Sequence, residues 1–170
     1  MALIESLDIP LGTQMPLFTL PDPDKKIYKG SSLYGPKGLL VAFTCNHCPY
    51  AIAIWPNLIG LAEEAKALGV NTVGINPNIH PDYPEDSPFQ MTKKIKEWGI
   101  GFPYLVDESQ KVAGEFKAQC TPDLYLFDGN QKLVYHGRME ELKEAIFNLS
   151  QGKSISKNQK HSMGCSIKWK

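Results

Sequence analysis

The sequence predicts an α/β domain of three layers, α/β/α, with a mixed central sheet and an N-terminal hairpin. Three observations predict it. Leu39-Leu40-Val41-Ala42-Phe43 is an unbroken apolar run after the punctuating Gly35-Pro36-Lys37-Gly38, as expected of a strand covered on both faces. A helical pattern follows it and leads to a second buried run, Val70-Asn71-Thr72-Val73-Gly74-Ile75, which makes a strand–helix–strand crossover with parallel neighbours. Further on, Leu124-Tyr125-Leu126-Phe127 and Leu133-Val134-Tyr135-His136 flank Asp128-Gly129-Asn130-Gln131, the signature of an antiparallel hairpin.

The chain of 170 residues is 42% hydrophobic and 21% charged, enough to bury one core without disulfide staples. Lys+Arg and Asp+Glu both number 18, which gives no reason to expect a nucleic-acid partner or an anionic membrane surface. The opening residues mix acids into a short apolar stretch and lack a basic lead, so neither signal peptide nor membrane anchor is expected, and a reducing cytoplasm is the expected location. Four cysteines are too few for a disulfide scaffold, which makes a close pair catalytic or metal-binding before it is structural.

Taken in order, residues 1–16 carry Pro10, Gly12 and Pro16 and are expected to wrap the surface without regular structure. Leu17–Leu20 and Lys26–Tyr28 flank the turn residues Pro21-Asp22-Pro23-Asp24 as a small hairpin. After the first buried strand, Ala51, Trp55, Leu58, Ala62 and Ala65 recur on one helical face that runs to about Leu68, with Gly69 closing it and Pro56 inside it. Residues 77–88, with four prolines, read as a long loop that borders whatever lies at the strand ends. Ser87 and Pro88 then cap a helix whose apolar face is Met91, Ile95 and Trp98 and which Gly99 ends. A short strand at Tyr104–Val106, a short helix around Val112–Phe116, the hairpin, and a last helix through Leu142, Ile146 and Leu149 complete a domain over 1–150. Residues 151–170 form a basic tail, in which the alternation of Cys165, Ile167 and Trp169 suggests an end docked as an edge strand.

The chemistry lies in Cys45-Asn46-His47-Cys48, where the apolar strand gives way to the helix. Two thiols at this spacing on a strand-to-helix turn can cycle between dithiol and disulfide, with no cofactor. Cys45 is expected at the helix N-terminus, exposed, with its pKa below the free value of ~8.5, and Cys48 one turn further in, screened. Cys45 would then attack, Cys48 resolve, and His47 favour the thiolate if cationic. A zinc site is the competing reading, but Cys48, Cys120 and Cys165 lie 72 and 45 residues apart, unlike zinc ribbons or fingers. His80, His136, His161 and Arg138 have no partner at ligand spacing and stay outside the site.

Phe43-Thr44-Cys45-Asn46-His47-Cys48-Pro49, Cys120-Thr121-Pro122-Asp123 and Gly164-Cys165-Ser166-Ile167-Lys168-Trp169 together resemble bacterial thioredoxin-like proteins of the redoxin (alkyl hydroperoxide reductase and thiol-specific antioxidant) superfamily. The resemblance spans nearly the whole chain. It implies a thioredoxin-like fold, Cys45 and Cys48 as the redox pair, and Thr121-Pro122 as a cis dipeptide that faces the pair and contacts substrate. It also makes Cys120 and Cys165 candidate accessory thiols. The implied activity is thiol-disulfide exchange, with a protein or small-molecule disulfide client and an external thiol electron donor as partners. Two features depart from the better-known members of the superfamily. The peroxidase pattern Pro-x-x-x-Thr-x-x-Cys is not met ahead of either cysteine, since Gly38 and Ala42, or Val41 and Cys45, hold its positions. Leu39 stands where thioredoxins usually carry a buried acid, six residues before the first cysteine. Disulfide reduction or isomerisation is therefore expected over peroxide reduction, with a peptide-binding module as the non-enzymatic alternative.

Overall fold

The computed structural model describes residues 3–170. Its elements in chain order are β1 (Leu3–Glu5), β2 (Thr19–Pro21), β3 (Ile27–Lys29), β4 (Gly38–Phe43), α1 (Pro49–Ala67), β5 (Val70–Asn76), α2 (Pro88–Trp98) and β6 (Tyr104–Val106). They continue with α3 (Lys111–Glu115), β7 (Cys120–Thr121), β8 (Asp123–Asp128), β9 (Leu133–Gly137), α4 (Leu142–Ser150) and β10 (Met163–Ser166). The central sheet runs β6-β5-β4-β8-β9, parallel across β6, β5 and β4 and antiparallel across β4, β8 and β9. This is the mixed sheet the sequence predicts. All six residues of β4 are buried, because the strand has a neighbour on each side and a packed layer on each face.

Alternation along β4 divides the core. Leu40 and Ala42 join Trp55, Leu58, Met91 and Ile146 on the face covered by α1, α2 and α4. Leu39, Val41 and Phe43 join Phe18, Val112 and Phe116 on the face covered by α3 and the β2–β3 hairpin. Successive side chains of a strand point to opposite faces, so one apolar run feeds both cores. Ser87 Oγ accepts from the Gln90 amide at the start of α2, and Gly99 ends that helix with φ +67°. Both match the capping read from sequence.

Two expectations need correction. Residues 1–16 are not wholly irregular, since β1 pairs antiparallel with β10. The chain end does not dock as an edge strand either: β10 is the middle strand of a small sheet ordered β1-β10-β7. Residues 151–158 are exposed except for the half-buried Ile155, as expected of a tail, and the chain beyond them is tied to the body. Gln159 donates to the Val134 carbonyl and accepts from the His136 amide, Ser162 is buried, and Gln110 clasps the last residues by donating to the Lys168 carbonyl and accepting from the Lys170 amide. Of the alternating Cys165, Ile167 and Trp169 only Cys165 lies in β10, which ends at Ser166, and its partner β1 carries too few residues to signal itself.

Candidate active site

The β4 strand ends at Phe43, and Thr44 continues its direction with a backbone bond to the Ile75 carbonyl. The chain then turns through Cys45–Cys48 into α1. The helix begins three residues later than the spacing suggests: Cys48 is its N-cap, in extended conformation, and Pro49 its first residue. Proline suits that first position because its missing N–H would be unpaired there in any case. The helix-terminus environment expected for Cys45 thus belongs to Cys48, and Ala51 holds the place one turn further in.

Neither sulfur is exposed. Cys45 and Cys48 are both 0% accessible, and with Ala51 and Cys165 they form a closed cluster. Cys45 Sγ lies 3.4 Å from Thr121 Oγ1, and the Cys48 thiol donates to the Thr121 carbonyl at 3.3 Å, so Thr121 touches both. The Thr121–Pro122 bond is cis, as the resemblance implies. Trp55 Nε1 donates to the Cys45 carbonyl at 3.1 Å and ties the turn to the body of α1.

The two thiols divide one charge. A hydrogen bond from the Cys45 thiol, then bonds from Cys165 and the Ala51 amide, outweigh burial and hold Cys48 down to about 4. Burial pushes Cys45 well above the usual thiol range, helped by its bond to Cys48 and by the nearby charge of Asp86. Cys45 is therefore buried and not exposed as expected, and that burial holds its thiol above the usual range. Cys48 sits at the helix start as the N-cap of α1, where the positive end of the helix favours a thiolate, although its side chain makes no capping bond to the first turn.

His47 is turned toward a residue that the sequence does not single out. Its Nδ1 hydrogen-bonds Asp86 Oδ2, and its ring stacks on Tyr83 with centroids 4.6 Å apart. Asp86 is fully buried and also accepts from the Asn46 amide (2.6 Å) and from Asn76 Nδ2 (3.0 Å). Tyr104 donates to Asn46 Oδ1 at 2.8 Å and closes the group. The proline-rich loop does border the site, and it supplies a buried acid although Leu39 stands at the usual position. Cys45, His47 and Asp86 each offer an atom within 4.8 Å of the others. Three donors are one short of a closed tetrahedral zinc site, and the Asp86 oxygens already serve three donors of the fold. His47 Nε2 is buried with no partner.

Of the accessory thiols, Cys165 joins the cluster and Cys120 does not. β10 pairs with β7 so that Cys165 stands opposite Thr121 and packs in the same buried cluster as Cys48. Burial, then contact with Cys48, pushes Cys165 up to about 11. Cys120 Sγ instead lies 3.5 Å from the Pro122 carbonyl, and burial followed by the charge of Asp123 raises its thiol far out of the neutral range. His136 is a satisfied interior histidine, bonded to Asp123 Oδ1 at 2.7 Å.

Comparison with known proteins fits this arrangement. The model of the AhpC/TSA family matches residues 11–136. The chain belongs to the AhpC/TSA family. Within reach of this AhpC/TSA protein by sequence is the thiol-disulfide oxidoreductase ResA of Bacillus thuringiensis, 23% identical over 136 residues, or 80% of this chain and 74% of that one. Among solved structures, an uncharacterized conserved protein from Geobacillus kaustophilus is 38% identical with a TM-score of 0.97, covering 100% of this chain and 97% of its own. The thioredoxin domain of a thiol-disulfide oxidoreductase from Bacteroides vulgatus shares the fold at 18% identity and a TM-score of 0.70, over 84% of this chain and 99% of that one.

Proposed function

We propose that the chain reduces or isomerises client disulfides through Cys48 and Cys45, with Cys48 as the nucleophile and Cys45 as its resolving partner. The chain is a thiol-disulfide oxidoreductase. The observation that carries the reading is the place of Cys48 as the N-cap of α1, packed against Cys45 in one buried cluster. A thiolate is the attacking species in disulfide exchange, and the Cys48 environment favours it at neutral pH.

The Cys48 thiolate attacks one sulfur of the client disulfide, forming a Cys48–client bond and expelling the other client sulfur as a thiolate, which takes a proton from water. Cys45 then loses its proton and attacks Cys48 Sγ. The Cys45–Cys48 bond forms, the client's second sulfur leaves, and two electrons have passed from the pair to the client. His47 and Asp86, each with an atom within 4.8 Å of Cys45 Sγ, are the titratable groups placed to receive the Cys45 proton. An external dithiol restores the pair by the reverse steps. A groove of about 580 Å³ beside Pro122, bordered by Tyr50, Ile54, Leu124, Met139 and Met163, favours a polypeptide client.

A stabilised thiolate favours the reduced pair, so its potential lies above thioredoxin's ~ −270 mV. A glutathione redox titration that returned a lower value would refute this. Roles are tested by trapping on a model disulfide peptide. The Cys45→Ser, Cys165→Ser double variant accumulates a mixed disulfide at Cys48, read by mass. Capture at Cys45 in Cys48→Ser, with none at Cys48 in the double variant, would reverse the roles.

A further inference from the structure

The exchange just described uses two thiols, yet Cys48 has a third against it. Cys45, Cys48 and Cys165 pack in one buried cluster, and Thr121 meets all three: its hydroxyl lies against Cys45 Sγ, its carbonyl against Cys48 Sγ, and its backbone stands opposite Cys165. Cys165 is 3% accessible, and the strand that carries it is seated by register: Cys165 opposite Thr121 on one side and Leu3 on the other. Gly164 permits this seat, because a Cβ there would collide with the Thr121 carbonyl. Beyond the strand, Lys168 is held through its backbone by Asn78 Oδ1 at 2.9 Å and Gln110 Nε2 at 2.7 Å. An incidental tail thiol would not need such anchoring on both sides.

We propose that Cys165 is a third redox thiol of this site, which attacks Cys48 Sγ and forms a Cys48–Cys165 disulfide. The proposal rests on Cys48 being the exchanging sulfur. When Cys48 is joined to Cys45, the Cys165 thiolate attacks Cys48. The Cys48–Cys165 bond forms, the Cys45–Cys48 bond breaks, and Cys45 leaves as a thiolate that takes up the proton Cys165 has lost, so no electrons are gained or lost overall. When Cys48 is joined to a client, the same attack releases the client thiolate and leaves β10 bonded covalently to α1. Cys45 and Cys165 thus compete to resolve the same sulfur.

The test compares the trapped peptide complex of Cys45→Ser with that of Cys45→Ser, Cys165→Ser, followed by non-reducing digestion and mass spectrometry. The expected result is a long-lived peptide adduct in the double variant and, in the single variant, its loss at least tenfold faster with appearance of a Cys48–Cys165 linked fragment. Equal adduct lifetimes in the two variants, with Cys165 still alkylatable in the single one, would overturn the proposal. Absence of any adduct in the double variant would instead refute the role of Cys48. Circular dichroism checks that both variants fold, and the wild type supplies a second reading: oxidised with diamide, it should yield both the Cys45–Cys48 and the Cys48–Cys165 fragments, and the first alone counts against Cys165.

Discussion

The charge on Cys48 sets how the reduced protein responds to pH. Its thiol ionises at about 4 in the folded protein, against about 8.5 in an unfolded chain. Between those values the unfolded state binds more protons, so this group's contribution is full above about 8.5 and is lost as pH falls toward 4. Cys165, pushed up to about 11, acts in the opposite sense and withdraws stability as pH rises above about 8.5. The urea midpoint of the reduced protein should therefore climb from pH 5 to 8 and decline above 9. In Cys48→Ser the climb should flatten, and an unchanged slope would refute the assignment of the thiolate. Asp86 belongs to the same scale. Removing its carboxylate in Asp86→Ala strands the Asn46 amide and His47 Nδ1 in the interior, at a cost of about 1–3 kcal/mol in denaturant stability. Nothing in Pro84-Glu85-Asp86-Ser87 announced that role, since the donors that define it lie 10 to 40 residues away in the chain.

Elements decide which thiol meets which environment. The strand β4, the helix α1 and the crossover to β5 were legible because each carries a periodic apolar pattern, and Cys45 and Cys48 were legible because chemistry needs them close. The start of α1 was not, because both Cys45 and Cys48 precede residues that can begin a helix, and only Pro49 at the first helical position decides between them. The nucleophile we propose follows that shift, from Cys45 to Cys48. β10 was half legible: a strand near the chain end could be read, but its bounds, Met163–Ser166, and its place between β1 and β7 depend on backbone pairing with two- and three-residue strands. Gly164→Ala tests the strand directly. The added methyl meets the Thr121 carbonyl, a backbone atom that cannot swing aside, so β10 should lift from β7. We expect a loss of about 1–3 kcal/mol and a severalfold faster alkylation of Cys48 under native conditions. Wild-type alkylation rates in a folded variant would show that the strand does not cover the thiol.

At the scale of the whole molecule, β1 and β10, far apart in the chain, pair beside the site. Gln110, the residue before α3, bonds to the Pro77 carbonyl of the site-bordering loop as well as to Lys168 and Lys170, so one side chain joins loop, helix and chain end. Gln110→Ala should free the last residues while leaving the central sheet intact, with faster native alkylation of Cys48 and little change in far-ultraviolet circular dichroism.

The seat of β10 has a kinetic consequence. A client peptide that would pair with Thr121 finds that register already filled by a strand of the same chain, and the sulfur beneath it has no accessible surface. Entry must then wait for departure, and departure is a first-order event that owes nothing to the client. Turnover should accordingly saturate at one common ceiling for small and large disulfides alike, set by how often the strand leaves. Gln110→Ala should raise that ceiling for every client by the same factor.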